Sequence, residues 1–122
     1  MADDLSHMRR FEIAKNKSVV VGNFDSQIFD FNEFKTTGDI TVQLGVGGAG
    51  SLEVQVFQSN NGIDFVKPVS GFQVTTAFTS GSGTDTDGKD LLPVDIFNSQ
   101  QFFLRFVVTT DTITLSANLS MQ

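Results

Sequence analysis

The sequence has no cysteine, no tryptophan and no tyrosine, two prolines and a single histidine, His7. Without cysteine there is no disulfide, zinc–thiolate centre or thiol nucleophile, so stability has to come from packing or oligomerisation. With one histidine, placed close to the N-terminus, a Ser–His–Asp or metal–histidine site is discounted, and the chain reads as non-enzymatic, with no cofactor and no metal. Apolar runs such as Val19–Val21 and Phe102–Leu104 fall far short of the roughly 20 residues of a membrane helix. Nor does residues 1–17 hold the apolar stretch of a secretory signal.

What is present in quantity is phenylalanine, 13 residues in a chain of 122. Each ring can remove roughly 150–250 Å² from water and has no polar edge to keep wet, so these rings are read first as core. The length suits one domain with one core. Charge divides unevenly: residues 1–17 carry a net +1, whereas the remainder carries −7, giving −6 in all. An acidic body of this kind repels nucleic acid.

From residue 18 onward the text alternates apolar and polar positions, broken at short intervals by Gly, Asn and Asp, as in an all-β protein. The clearest strand is the last, where Ile113, Leu115, Ala117, Leu119 and Met121 alternate with Thr and Ser or Asn. Phe102, Leu104, Phe106 and Val108 share one face of a strand near 101–109, and Phe29 and Phe31 one face of a strand near 27–34. Ile40, Val42 and Leu44, followed by Leu52, Val54 and Val56 after Gly45–Gly50, read as a hairpin with a flexible glycine-rich connection. Short strands at 18–22, 63–68, 72–78 and 91–97 bring the total to about eight. That count predicts a two-sheet antiparallel β-sandwich over residues 18–122, jelly-roll-like or immunoglobulin-like, preceded by a flexible arm over 1–17. Pro68 and Pro93 fall near predicted strand ends, where a missing N–H does least harm.

Four segments invite a ligand and are weighed against a plainer role. Asp85, Asp87 and Asp90 around Gly88 are oxygen ligands of the type calcium takes, but a twelve-residue calcium loop counted from Asp85 would end on Ile96, not on an acid. Ser80–Asp90 is therefore expected to be an exposed mobile loop. Gly45–Gly50 precedes a strand and not a helix, which removes the phosphate-cradle reading. Asn60 and Asp64 could touch a sugar, yet Asn61-Gly62 is first a tight-turn dipeptide, and no Trp or Tyr is present to stack on a pyranose. The arm offers Arg9, Arg10 and Phe11, either as a frayed terminus or as a segment that orders on a neighbouring subunit.

Gly50-Ser51-Leu52-Glu53-Val54-Gln55-Val56, then Ser59-Asn60-Asn61-Gly62-Ile63-Asp64-Phe65, resembles a pattern of small tailed-phage virion proteins, "G-x-L-x-V-x-V" followed by "S-x-[DN]-G-x-x-F". Phe103-Leu104-Arg105-Phe106 is similar to a later "F-[VL]-R-[FV]" strand of that family. The close likeness covers about 16 residues, and similar text occurs in other extracellular β-sandwich modules. The resemblance implies a head decoration, neck or tail accessory protein located in the virion, a trimer or other closed homo-oligomer that also contacts other virion proteins, and it carries over no catalytic residue. Phe24, Phe34, Phe57 and Phe103, expected opposite their strand's core face or at strand ends, join Arg9, Arg10 and Phe11 as candidate partner contacts. The alternative is a carbohydrate-binding β-sandwich module for surface attachment.

Overall fold

Segments in which every second residue is apolar can bury one face and leave the other wet, and most such segments here become strands. The computed structural model describes residues 9–30, 40–67, 73–94 and 100–121. Among these the regular elements are all strands: β1 (Arg9–Val19), β2 (Gly22–Asp25), β3 (Phe29–Asp30), β4 (Ile40–Gly48), β5 (Ser51–Ser59), β6 (Gln73–Phe78), β7 (Lys89–Pro93), β8 (Gln101–Thr109) and β9 (Ile113–Met121). One sheet has the order β1-β9-β4-β7; the other has β2-β8-β5-β6, with β3 also paired to β8. All pairings are antiparallel. The chain changes sheet at every connection except β2–β3 and β5–β6, and first and last strands lie side by side. This is the double-sheet jelly-roll order, which decides between the two sandwich topologies that alternation left open.

The inner faces interlock around Phe29, Phe102, Phe106, Leu44, Leu104 and Leu119, all fully buried. The Phe29 and Phe102 rings stack at 5.1 Å, and Phe11 meets Phe29 edge-on at 5.0 Å. The expected inward sets of β4, β5, β8 and β9 are all buried.

Residues 40–56 do not form a hairpin. β4 pairs with β9 and β7, β5 with β8 and β6, and Ala49 and Gly50 carry the chain from one sheet to the other. Alternation fixes which face of each strand is apolar but not whether two successive strands lie side by side or face to face. Here they face each other across the core. β8 and β9 cross beside them at Thr110–Thr112, so two arches stack backbone to backbone. A Cβ on Gly50 would lie 1.9 Å from the Asp111 carbonyl oxygen, and Gly48 holds φ at +90° with its own missing Cβ 2.9 Å from Thr112 O. Only glycine fits such an approach.

From Arg9 onward the expected arm is a strand, while residues 1–8 lie outside the described residues. Arg9–Val19 pairs with β9 from Arg9↔Met121 to Val19↔Ile113, so the sandwich begins well before residue 18. Register shifts between Glu12 and Ala14 and between Ala14 and Lys17, with Asn16 at φ 47°, break the alternation of β1. Bulges of this kind erase the two-residue period that a sequence reading looks for. The predicted strand at 18–22 is the end of β1 and the start of β2, joined by the exposed Val20 and Val21. The predicted 63–68 strand reduces to one bridge, Val66 with Gln58. The 91–97 strand overlaps β7, which begins at Lys89; residues 95–97, like Phe31, Phe34 and Pro68, lie outside the described residues.

Ser80–Asp90 folds as successive turns. Gly88 is buried, its N–H donates to Ser82 O at 2.8 Å, and its carbonyl accepts from Val46 N at 2.8 Å. Glycine has no alternative there, since a Cβ would lie 2.4 Å from Val46 O.

The stacked arches predict an asymmetric glycine response. Gly50→Ala is expected to cost about 2–3 kcal/mol, as overpacking does, seen as a lower urea midpoint. Gly81→Ala, whose new methyl meets nothing within 4 Å, should stay within about 0.5 kcal/mol of wild type.

Candidate functional site

With alternate residues of β5 and β8 committed to the core, the intervening ones define the outer face of their sheet. Glu53, Gln55 and Phe57 stand opposite Val107, Arg105 and Phe103 in the ladder. The Phe57 and Phe103 rings stack at 5.1 Å and 6°, and Phe65, from the loop after β5, leans on Phe103 at 5.4 Å. The Arg105 guanidinium lies 4.5 Å from the Phe57 centroid and 5.5 Å from that of Phe103. Asp25 on β2 fixes it with two bonds, Nε to Oδ1 at 2.8 Å and Nη2 to Oδ2 at 3.0 Å. The hydrogen bond to Asp25, and secondarily its charge, hold the Arg105 pKa above the ordinary arginine value, with burial opposing. The pair is partly exposed and its own contribution to stability is roughly 0–1 kcal/mol. Its larger effect is to hold a cation over two rings. Ile63 and Val66, in the loop that carries Phe65, are among the most exposed large apolar residues.

The loop carrying Phe65 is built from its own polar groups. Ser59 Oγ accepts from the N–H groups of Asn61 and Gly62 and donates to Asn61 Oδ1, which accepts from Ile63 and Asp64 N–H. Asn61 Nδ2 donates to Asp64 Oδ2, and Asn60 Oδ1 accepts from Gln100 N. Gly62 takes φ +74°, as an Asn-Gly turn requires. Of the expected sugar contacts, Asp64 is therefore engaged in the turn itself and Asn60 ties the turn to Gln100 ahead of β8.

Of the candidate contact residues, Phe57 and Phe103 come together on this outer face. Phe24 does not join them: its register with Phe106 turns it to the core side, 5.9 Å from that ring, with the Lys17 ammonium 5.2 Å from its centroid. Phe11 packs against the core through Phe29. Arg9 and Arg10 are exposed at the start of β1, on the other sheet, and Phe34 and His7 lie outside the described residues. Phe65 and Arg105 were missed as contacts. Arg105 carried a readable signal, since it falls on the outward phase of a strand whose inward phase is Phe102, Leu104, Phe106 and Val108.

The acidic loop does not gather its carboxylates. Asp87 Oδ1 accepts from Lys89 N and Asp90 Oδ1 from Leu91 N, and among the described residues no three His, Cys, Asp or Glu side chains group to hold a metal ion.

The outer face of the β1-β9-β4-β7 sheet is different in kind. Two shallow depressions, of about 400 and 690 Å³, share Gln43 and Asn118, which are directly paired across β4 and β9.

No protein-family model matches the sequence, and no curated protein does. Solved structures do match. The chain is similar to VP2 of the infectious bursal disease virus subviral particle, with a TM-score of 0.62 and 11% identity over 93% of this chain and 31% of VP2. It is also similar to a mutant VP2 of that virus in T=1 particles, with a TM-score of 0.53 and 10% identity over 93% of this chain and 30% of the other. A further match is the SPBc2 prophage-derived protein YomS, at a TM-score of 0.48 and 12% identity over 93% and 92%. The chain spans about a third of the length of VP2, and at these identities the likeness is one of fold.

Ser59, only 4% exposed, anchors the loop that presents Phe65. Ser59→Ala is expected to lower stability by about 1–2 kcal/mol, because two backbone N–H groups lose their acceptor; thermal unfolding of the variant against wild type measures it.

Proposed function

We propose that this protein is a non-enzymatic structural protein of a virion, a capsid decoration or head or tail accessory component, acting through contacts with its own copies and with other virion proteins. The observation that carries the reading is the Phe57–Phe103–Phe65 cluster under Arg105. These rings sit on the outer face of a sheet whose inner face is already filled, so the protein's own core does not use them. Aromatic residues and arginine are the types enriched at the centres of protein interfaces, where they contribute most of the binding energy. Stacked rings pinned by an ion pair lose little side-chain freedom on docking, which lowers the entropic cost of association.

Architecture supports the same reading. The jelly roll here is shared with a protein that forms a subviral particle, and closed homo-oligomers are the common way in which copies of one sandwich satisfy exposed surfaces. The tailed-phage resemblance of residues 50–65 and 103–106 has Phe65, Phe103 and Arg105 at its motif positions, with Phe57 between its two halves.

The test is the mass in solution. Wild type should sediment as a closed oligomer such as a trimer. Phe103→Ser, with an unchanged β-type circular dichroism spectrum, should shift the equilibrium to monomer by at least tenfold in dissociation constant, the effect of losing about 1.4 kcal/mol at a central contact. A wild type that stays monomeric at the highest accessible concentration would overturn the homo-oligomeric reading.

A further inference from the structure

The polar face opposite the aromatic patch has a construction that strand stability does not explain. Gly45 and Gly47 occupy outward positions in the C-terminal half of β4, where a side chain would ordinarily stand, and both line the smaller depression. Glycine inside a strand costs roughly 0.5–1 kcal/mol relative to alanine. Neither position shows positive φ, and an added Cβ would find only ordinary contacts, 3.6 Å from Ser116 Cβ at Gly45 and 3.8 Å from Thr114 Cβ at Gly47. Gly48 and Gly50 are required by the arches; Gly45 and Gly47 are not. What their missing side chains leave is a floor bordered by Ser116, Thr114 and the stem of Lys89.

Around that floor stand side chains that can both donate and accept. β9 presents Thr114, Ser116, Asn118 and Ser120 outward in a row of about 20 Å, and Gln43 faces Asn118 where the two depressions meet. Gln43, Asn118 and Thr114 make no side-chain hydrogen bond among the described residues. Asn16, in the β1 bulge, accepts from Ser116 Oγ through Oδ1 and donates its backbone N–H to the same oxygen, which holds its amide at the rim. The floor itself bears no charge. Both signs flank it: Glu12 stands opposite Asn118 with Arg10 beyond it on the β1 side, and Lys89 stands opposite Gly45 with Asp87 beside it on the β7 side. Leu91, 61% exposed, adds an apolar step on the β7 side.

We propose that this face binds a neutral, linear oligosaccharide laid along β9, with its hydroxyls on Gln43, Asn118 and Thr114 and its C–H faces on the glycine floor and Leu91. Bifunctional amides and hydroxyls match hydroxyl groups, which also donate and accept. One acid and one base on each flank select neither an anion nor a cation. A protein partner would call for aromatic anchors, which lie on the other sheet, and an extended peptide adds to a sheet edge and not across its face. The flat floor of two glycines takes the place of a ring platform on this face, since the chain has no Trp or Tyr and its outward Phe57, Phe65 and Phe103 lie on the other sheet. The site is separate from the proposed assembly patch, so either reading can fail alone.

The test uses the full chain, labelled with ¹⁵N, titrated with maltohexaose, cellohexaose and mannohexaose and, as controls, a heparin-derived hexasaccharide and an unstructured neutral peptide. The expected result is saturable shifts for at least one neutral glycan, centred on the amides of residues 43–47 and 114–118. Gln43→Ala and Asn118→Ala should each weaken binding about fivefold, the loss of one net hydrogen bond. Gly45→Val and Gly47→Val are the decisive variants: a β-branched side chain suits a strand, so both should fold with equal or higher thermal stability while losing binding. Any of four results overturns the proposal: no shift with any neutral glycan at about 10 mM, shifts only with heparin or only with the peptide, shifts centred on the Phe103 face, or unchanged affinity in a folded Gly45→Val.

Discussion

The four strands β4, β5, β8 and β9 form the constraint on which the rest of the molecule depends. β4 lies on β9 and β5 on β8 in ladders nine residues long, and each pair is joined to the other by an arch across the core. Every second side chain of all four strands is thereby fixed inward, and the packing of Leu44, Leu52, Leu104 and Leu119 follows from one register. A slip of one residue in either ladder would turn a whole apolar row to water. Gly50 against Asp111 O is where that register is locked, because the two arches touch through backbone and no side chain could be interposed.

Outside this centre the peripheral strands are irregular, and the irregularity has a use. β1 is bulged twice, β6 shifts register against β5 and holds Ala77 at φ 52°, β2 and β3 are short, and β7 ends at Pro93. Long flat edges recruit further strands, whereas bulges, short strands and proline discourage them. Strand addition at the edges is thereby discouraged, which leaves the faces, one of them carrying the aromatic patch, as the surfaces open to a partner.

How much of this could be read from residues alone depended on whether period two survived. β8 and β9 were legible to their ends because Phe102–Val108 and Ile113–Met121 alternate without a break and their inward and outward phases are unambiguous. Phe57 and Phe103 were legible for the same reason, as rings on the wrong phase of a core strand. β1 was not, since two bulges scramble its pattern and make Phe11, Ile13 and Ala14 look like scattered apolar residues in an arm. Phe24 was placed at a strand end when its partner Phe106 draws it inward, a pairing 82 positions away in the chain that no local pattern records. Gly45–Gly50 was read as one glycine-rich link, although its glycines have two separate duties: Gly48 and Gly50 permit the arch, while Gly45 and Gly47 lie within β4.

That division bears on what the two outer faces are for. If both sheets served only to enclose a core, their outer faces would be free to take the commonest strand-forming polar residues, and neither would hold features that oppose stability. Instead one holds three half-buried phenylalanine rings on its outer surface under a pinned arginine, and the other holds two outward glycines inside β4 beside amides that have no partner among the described residues. Each departure is locally unfavourable, the first by exposing apolar surface and the second by loosening a strand. They sit on opposite sides of the sandwich, so one cannot be the by-product of packing around the other. A jelly roll with its core fully supplied by inward residues can carry both at little risk to the fold. On the proposed reading, the separation lets one face serve assembly while the other stays exposed.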